Sequence, residues 1–272
     1  MNNTVVDIRA HFGLTTVPFT REIQIGDRWS APLFGEPLAA LLATVEARMS
    51  AVLLAPSGTG KTVLLRTLCS CLPEARYRVH YTKMTSLSKR DLCREIALAC
   101  RFDVGGPSPV MIRRLQDAFR SQADDDGLRP VVMLDDSHEL RPEVLPTLRV
   151  LTNFDMDSRL VVSFVLAGDN RLRTLLERAD LDCVRRRLAQ VATLRLLSRA
   201  ETAEYMQHRM RVASASQFPF DSQALDAVYE ISRGNLRAID HLARKSLELA
   251  AQRNIPTVDA AVVAAARQNL LL

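Results

Sequence analysis

Ala51-Val52-Leu53-Leu54-Ala55-Pro56-Ser57-Gly58-Thr59-Gly60-Lys61-Thr62-Val63-Leu64-Leu65 decides the fold of this 272-residue chain. An apolar run, read as a strand over Ala51–Ala55, gives way to a loop with two glycines. A pattern of helical period then follows over Gly60–Cys71. Glycines in that position let the backbone fold into a ring of N–H groups around a phosphate, and the start of the next helix adds its positive end. The motif is meaningful in this strand-loop-helix context. Pro56, Ser57, Gly58, Thr59, Gly60, Lys61 and Thr62 are therefore the expected contacts to ATP. Lys61 would reach the β- and γ-phosphates, and the Thr62 hydroxyl would ligate Mg²⁺. The usual first glycine of such a loop is Ala55 here, while Gly58-Thr59-Gly60-Lys61-Thr62 is intact.

On either side of this loop, short apolar runs alternate with helical patterns, as in βαβ units around a parallel sheet. Further strands are expected at Tyr77–Tyr81, Val131–Leu134, Leu160–Ala167 and Val191–Leu196. Helices are expected at 88–101, 109–122, 142–153 and 170–179. The unbroken runs at 131–134 and 160–167 suit strands buried on both faces. The first of these ends in Asp135-Asp136. At the end of a strand beside a phosphate loop, the first acid would hold Mg²⁺ with Thr62 and the second would polarise the attacking water. Asp136 is one methylene shorter than the glutamate more usual there, so slow hydrolysis is expected, with Glu139 as a possible substitute. His138 reads as structural or solvent-facing.

The strand at 160–167 leads into Gly168-Asp169-Asn170, which offers Asp169 or Asn170 as a polar group aimed at the γ-phosphate. Arg185-Arg186-Arg187 suits a solvated face. It equally suits an arginine supplied to the nucleotide of a neighbouring subunit, with Arg187 and Arg185 as the candidates. From about Leu197 only helical patterns remain, at 199–212, 222–232, 236–252 and 257–269. Ser198 before Glu201, and Asp221, are capping signals. Arg237, in the first turn after Gly234-Asn235, would reach back to the phosphates. The expected fold is α/β: a P-loop NTPase parallel sheet with a C-terminal all-helical lid. The expected parts are a collar and first helix over 1–45 (the helix at 37–49), a nucleotide-binding core over 46–197 and a lid over 198–272.

This order of motifs resembles the AAA+ ATPases, and within them the group of ExeA-type ATPases and TniB/TnsC-type transposition regulators. His11-Phe12-Gly13-Leu14 with Pro18-Phe19 matches that group's opening, and Val184–Leu188, Leu197-Ser198 and Gly234–Arg237 match its later half. The resemblance implies an AAA+ core and ATP-dependent oligomerisation as a ring or helical filament, often on double-stranded DNA. It also implies that the 12–40 segment packs near the adenine.

The charge pattern bears on the partner. The chain carries 36 Lys and Arg against 31 Asp and Glu, and residues 51–130 hold 13 of the former and 8 of the latter, so the whole surplus of +5 lies there. Within it Lys83, Lys89 and Arg90, interleaved with Thr and Ser, are the leading candidates for sequence-nonspecific phosphate contacts to DNA. Ordinary solvated helix faces remain the bland alternative. The five cysteines include no CxxC pair, which argues against a zinc site. No run approaches the roughly 18 apolar residues of a membrane span and the start lacks a leader pattern, so a cytoplasmic location without membrane is expected. The combined expectation is an AAA+ ATPase that assembles on target DNA and recruits a transposase. The competing readings are an ExeA-like secretion-associated ATPase, a helicase-loader relative and a nucleotide-gated adaptor with negligible turnover. A secretion member is expected to add a membrane span, and a loader a DNA-reading domain, for which no room follows Asn269.

Overall fold

The computed structural model describes residues 7–102, 105–268 and 270. It divides into two compact units: one of Ala31–Ser57 with Lys61–Leu194, the other of the described residues up to Ser30, Gly58–Gly60 and those from Arg195 onward.

The first unit is α/β. Helix α2 (Pro32–Glu46) leads into β1 (Ser50–Leu54), α3 (Lys61–Cys71), β2 (Tyr77–Lys83), α4 (Lys89–Ala99), α5 (Ser108–Asp124) and β3 (Arg129–Asp135). Then come α6 (Pro146–Leu151), β4 (Ser163–Gly168), α7 (Asn170–Leu176), α8 (Asp182–Arg185) and β5 (Leu188–Thr193). Among the described residues these strands form one parallel sheet in the order β2-β3-β4-β1-β5. Alternate residues of its central strands enter separate cores, because side chains along a strand point to opposite faces. Val52, Leu54, Val132, Leu134, Phe164 and Leu166 join one core. Ala51, Leu53, Val131, Met133, Val165 and Ala167 join the other. Helices cover both faces, which is why the sequence shows continuous apolar runs there. Each strand residue advances the chain by about 3.3 Å, so the register alone lines up the strand ends: Leu54 lies beside Gly168 and Thr193, and Asp135 beside Lys83.

Several boundaries differ from expectation. Helix α2 starts at Pro32, five residues early, and carries Pro37 inside it. The missing N–H of Pro37 forfeits one bond to the Leu33 carbonyl, and the buried ring packs in exchange. Of the expected helix at 142–153 only α6 is regular, and Pro146 stands at its first position, where the missing N–H costs no helical bond. Strand β5 lies three residues before its expected place: it is an edge strand whose exposure alternates, a weaker signal than an apolar run. Arg101 does not share a helix with Arg94. Helix α4 ends at Ala99, and Arg101 takes a positive φ of 59°. Asp103 and the expected helix end at Asn269 lie outside the described residues.

The second unit is helical apart from its loops: α1 (Ile8–Phe12), α9 (Arg199–Val212), α10 (Ser222–Ser232), α11 (Leu236–Gln252) and α12 (Ala260–Arg267). Helix α1 was not legible as a helix, being a single short turn capped by Asp7 and closed by Gly13 at φ 64°. Ser198 and Glu201 form the expected capping box at α9. The Arg195 guanidinium, with the Ser198 amide and hydroxyl, holds the Glu201 carboxyl down at about 2 against a smaller opposing effect of burial. The collar joins this unit through the Thr15 amide, which donates to the Ala213 carbonyl at 3.0 Å. Buried Arg209 also donates to the Thr20 carbonyl at 2.7 Å. Arg209 additionally donates to the Tyr205 hydroxyl at 2.8 Å and contacts Asp240, which accepts from Tyr205 at 2.7 Å. Among the described residues no helix is long and apolar enough to cross a membrane.

Burial raises the Asp240 carboxyl to about 6, with Arg209 and Tyr205 pulling the other way. An unfolded Asp titrates near 4, so this group binds its proton more tightly in the fold. Its contribution to stability is complete below about pH 4 and is lost as pH rises through about 6. Asp240→Asn has no such loss. The melting temperature of that variant relative to the parent is expected to rise between pH 4 and pH 7, and a difference flat across that range would refute the assignment.

Candidate active site

The phosphate loop leaves β1 at its C-terminal end, where ligands bind on open parallel sheets. Gly58 and Gly60 take φ of 80° and 97°, a region costly for residues with a Cβ. Ala55 needs no such freedom. Its amide donates to the Gly168 carbonyl at 3.0 Å and its methyl is buried in a core, which explains why alanine serves at this position. Lys61 opens α3, and its buried ammonium donates to the carbonyls of Ala55 at 3.1 Å and Pro56 at 3.4 Å, closing the loop into a ring. Pro56, Ser57 and Thr59 complete that ring in sequence.

Thr62, one residue on, donates its hydroxyl to Asp135 Oδ2 at 2.7 Å. This pairing of residues 73 apart is the one expected of a Mg²⁺ site. Asp135 is buried at the end of β3, and its Oδ1 accepts from the Asp136 amide at 2.9 Å. A hydroxyl and one carboxylate suit Mg²⁺, which takes few protein ligands and fills its octahedron with phosphates and water. No group of three His, Cys, Asp or Glu able to hold a metal occurs among the described residues.

Asp136 follows in a left-handed turn at φ 54°, and its Oδ2 sits 3.0 Å from the Lys83 ammonium. Lys83 is thus drawn to the acid pair at the end of β2, while Lys89 and Arg90 stand exposed in the first turn of α4. Cations there oppose the helix dipole, so they are not placed for the stability of α4. Ser88 and Asp91 supply the cap.

His138 belongs to this network. Its Nδ1 accepts from the Asp169 amide at 3.4 Å, and Nε2 lies 3.2 Å from Glu139 and 3.6 Å from Asp169. Asp169 caps α7 and is paired with Arg171. Burial works to raise its carboxyl, but the Arg171 side chain and amide outweigh it and hold the group below its ordinary value. Glu139 is likewise paired, with Arg171 at 3.1 Å. Asp169 and Glu139 thus lie in one charged cluster with His138 and Arg171, and the Asn170 side chain is exposed.

The arginines lie elsewhere. Arg185 and Arg186 share Asp182, at 2.5 and 2.6 Å, and Arg187 makes a two-pronged pair with Asp157. Leu188, next to Arg187, is level with Ser50, the first residue of β1. The whole length of β1 therefore separates these arginines from the phosphate loop of their own chain. In the helical unit, to which Gly58–Gly60 also belong, the Arg237 amide donates to the Gly58 carbonyl at 3.1 Å. A Cβ on Gly58 would meet the Asn235 side chain. Asn235, which the sequence offers only as the start of a helix, caps α11. The Arg237 guanidinium itself is exposed.

Residues 45–176 match the AAA domain family. Over 248 residues the chain is 32% identical to General secretion pathway protein A of Aeromonas hydrophila, aligning 87% of this chain with 43% of that protein. The chain thus spans less than half the length of the curated relative it matches. Among solved structures it is similar to Cdc6p of Pyrobaculum aerophilum, with a TM-score of 0.74 and 18% identity over 93% of this chain and 70% of that one. It is also similar to the ORC1 protein of Aeropyrum pernix in complex with DNA, with a TM-score of 0.67 and 19% identity over 89% of this chain and 66% of that one. At such identities the likeness is one of fold: the P-loop AAA+ fold, with a helical C-terminal part.

Lys83 is largely exposed, so Lys83→Met is expected to change stability by less than about 1 kcal/mol. It would, however, release Asp136 from its cation. Phosphate release from ATP is expected to rise, by up to about fivefold for a pair of that strength; an unchanged rate would show that Lys83 does not restrain Asp136.

Proposed function

We propose, for a chain whose residues 45–176 form an AAA domain, an ATP-dependent assembly switch. The protein binds ATP with Mg²⁺ and associates with further copies of itself, as a ring or helical filament, on double-stranded DNA whose sequence it does not read. In that state it recruits or regulates a transposase, and slow hydrolysis of ATP to ADP and phosphate takes it apart. Assembly on DNA places it in the cytoplasm.

The observation that carries this reading is the placement of Arg185 and Arg187 at the opposite end of β1 from the phosphate loop. An arginine there serves a nucleotide only in another subunit, so the complete site needs a second copy. Lys61 and the loop amides would bind the β- and γ-phosphates, and Thr62 with Asp135 would hold Mg²⁺. Held there, Mg²⁺ would supply positive charge to the phosphate oxygens. Asp136 would orient the attacking water once Lys83 lets it go, and Asp169 and Arg237 would respond to the γ-phosphate. The exposed pair Lys89 and Arg90 supports the DNA contact, as does the likeness of fold to a protein solved in complex with DNA. A second reading, an ATPase of secretion assembly, is favoured by the 32% identity to General secretion pathway protein A.

Binding to random duplex DNA with ATP, ADP or a non-hydrolysable analogue, alongside phosphate release, tests the proposal. ATP and the analogue are expected to tighten binding at least tenfold over ADP, and Lys61→Ala to abolish that gain. Lys89→Ala with Arg90→Ala is expected to weaken DNA binding and flatten its salt dependence by about two phosphate contacts, with nucleotide affinity intact. DNA binding that ignores ATP would defeat the switch, and none at low salt would favour the secretion reading. Mixing Arg187→Ala with Lys61→Ala subunits should restore part of the turnover if the arginine acts across the interface.

A further inference from the structure

The two oxygens of Asp135 are not equivalent. Oδ2 accepts from Thr62 at 2.7 Å and also from the Tyr81 hydroxyl at 3.1 Å. Oδ1 accepts from the Asp136 amide at 2.9 Å. A carboxylate offers about two acceptor positions on each oxygen. Both positions on Oδ2 are thereby taken, and the open one lies on Oδ1.

Tyr81 has no part in the phosphate-loop motif. It reaches Asp135 because β2 and β3 are parallel and in register, with Tyr81 beside Met133. Asp135 is two residues further along and so on the same face, the diagonal distance that an aromatic side chain spans. The residue is half-exposed, at 47%, so the packing of a core does not explain its place.

We propose that Tyr81 is a positioning residue that sets the metal preference of the site; this rests on the reading of Thr62 and Asp135 as the Mg²⁺ site. By filling the second position on Oδ2, the hydroxyl limits Asp135 to contact through one oxygen. That suits Mg²⁺, which is small, strictly octahedral and held by few carboxylates. It denies the two-oxygen grip that the larger Ca²⁺ often takes.

Tyr81→Phe keeps the ring and removes the donor. The measurement is the affinity of a fluorescent ATP analogue as Mg²⁺, and separately Ca²⁺, is titrated into the parent, Tyr81→Phe and Thr62→Val, with circular dichroism to confirm folding. In Tyr81→Phe the Mg²⁺ midpoint is expected to rise about three- to tenfold, the worth of one half-exposed hydrogen bond to a charge. The preference for Mg²⁺ over Ca²⁺ is expected to narrow by a similar factor. Midpoints that stay at parental values while Thr62→Val shifts them would overturn the role of Tyr81. Mg²⁺ and Ca²⁺ midpoints that move together, leaving their ratio unchanged, would overturn it as well. If Thr62→Val also leaves both metals unaffected, the metal-site reading itself fails.

Discussion

The hydrogen bond from Thr62 to Asp135, 2.7 Å long, joins the first turn of α3 to the end of β3. Around it the phosphate loop, the acid pair and the strand ends take their places. Its partners are 73 residues apart, and β4 stands between β1 and β3 in the sheet. They meet because three parallel strands share a register that brings their C-terminal ends level. That register is held by strands buried on both faces, where a slip of one residue would exchange the two cores side chain for side chain. The site thus depends on the cores above and below the sheet as much as on its own polar groups.

Around that bond the charged groups are mutually satisfied. Lys83 holds Asp136, Arg171 holds Asp169 and Glu139, and His138 bridges the loop after β3 to the start of α7. Asp136, Asp169 and Glu139 are each engaged by a neighbouring cation, while Asp135 is held by hydroxyls and an amide. A nucleotide would therefore act by exchanging partners, and the free energy of each exchange is small where the cation is exposed. The same economy appears at Arg187, whose pair with Asp157 fixes the side chain at the far end of β1. The second unit is organised around a different kind of centre. There buried Arg209 and Tyr205, with half-buried Asp240, tie the collar at Thr20 to α9 and α11.

Much of this was legible in the chain. The Gly58–Thr62 motif, the acid pair at 135–136 and the Ser198–Glu201 capping box are local patterns, and local patterns survive in sequence. The strands at 131–135 and 163–168 were legible because burial on both faces leaves an unbroken apolar run. Edge strand β5 lies off its expected place because its burial alternates, and α2 starts before its expected place because a proline inside a helix reads as a start. His138 and Tyr81 carried no signal at all. A lone histidine or an edge tyrosine looks the same in sequence whether it faces solvent or a carboxylate.

The sequence by itself determined the chemistry available: a phosphate loop, a hydroxyl and carboxylate for a metal, a basic stretch and a cluster of arginines, in the order of a P-loop sheet followed by helices. Tertiary structure alone decided which of these groups meet. It put Lys83 on Asp136, Tyr81 on Asp135 and the arginines at the opposite end of β1 from the loop. The physical reason is that residue type and spacing fix the periodicity of each element. The pairing of charges across strands depends on register and strand order, which come from the packing of the whole sheet.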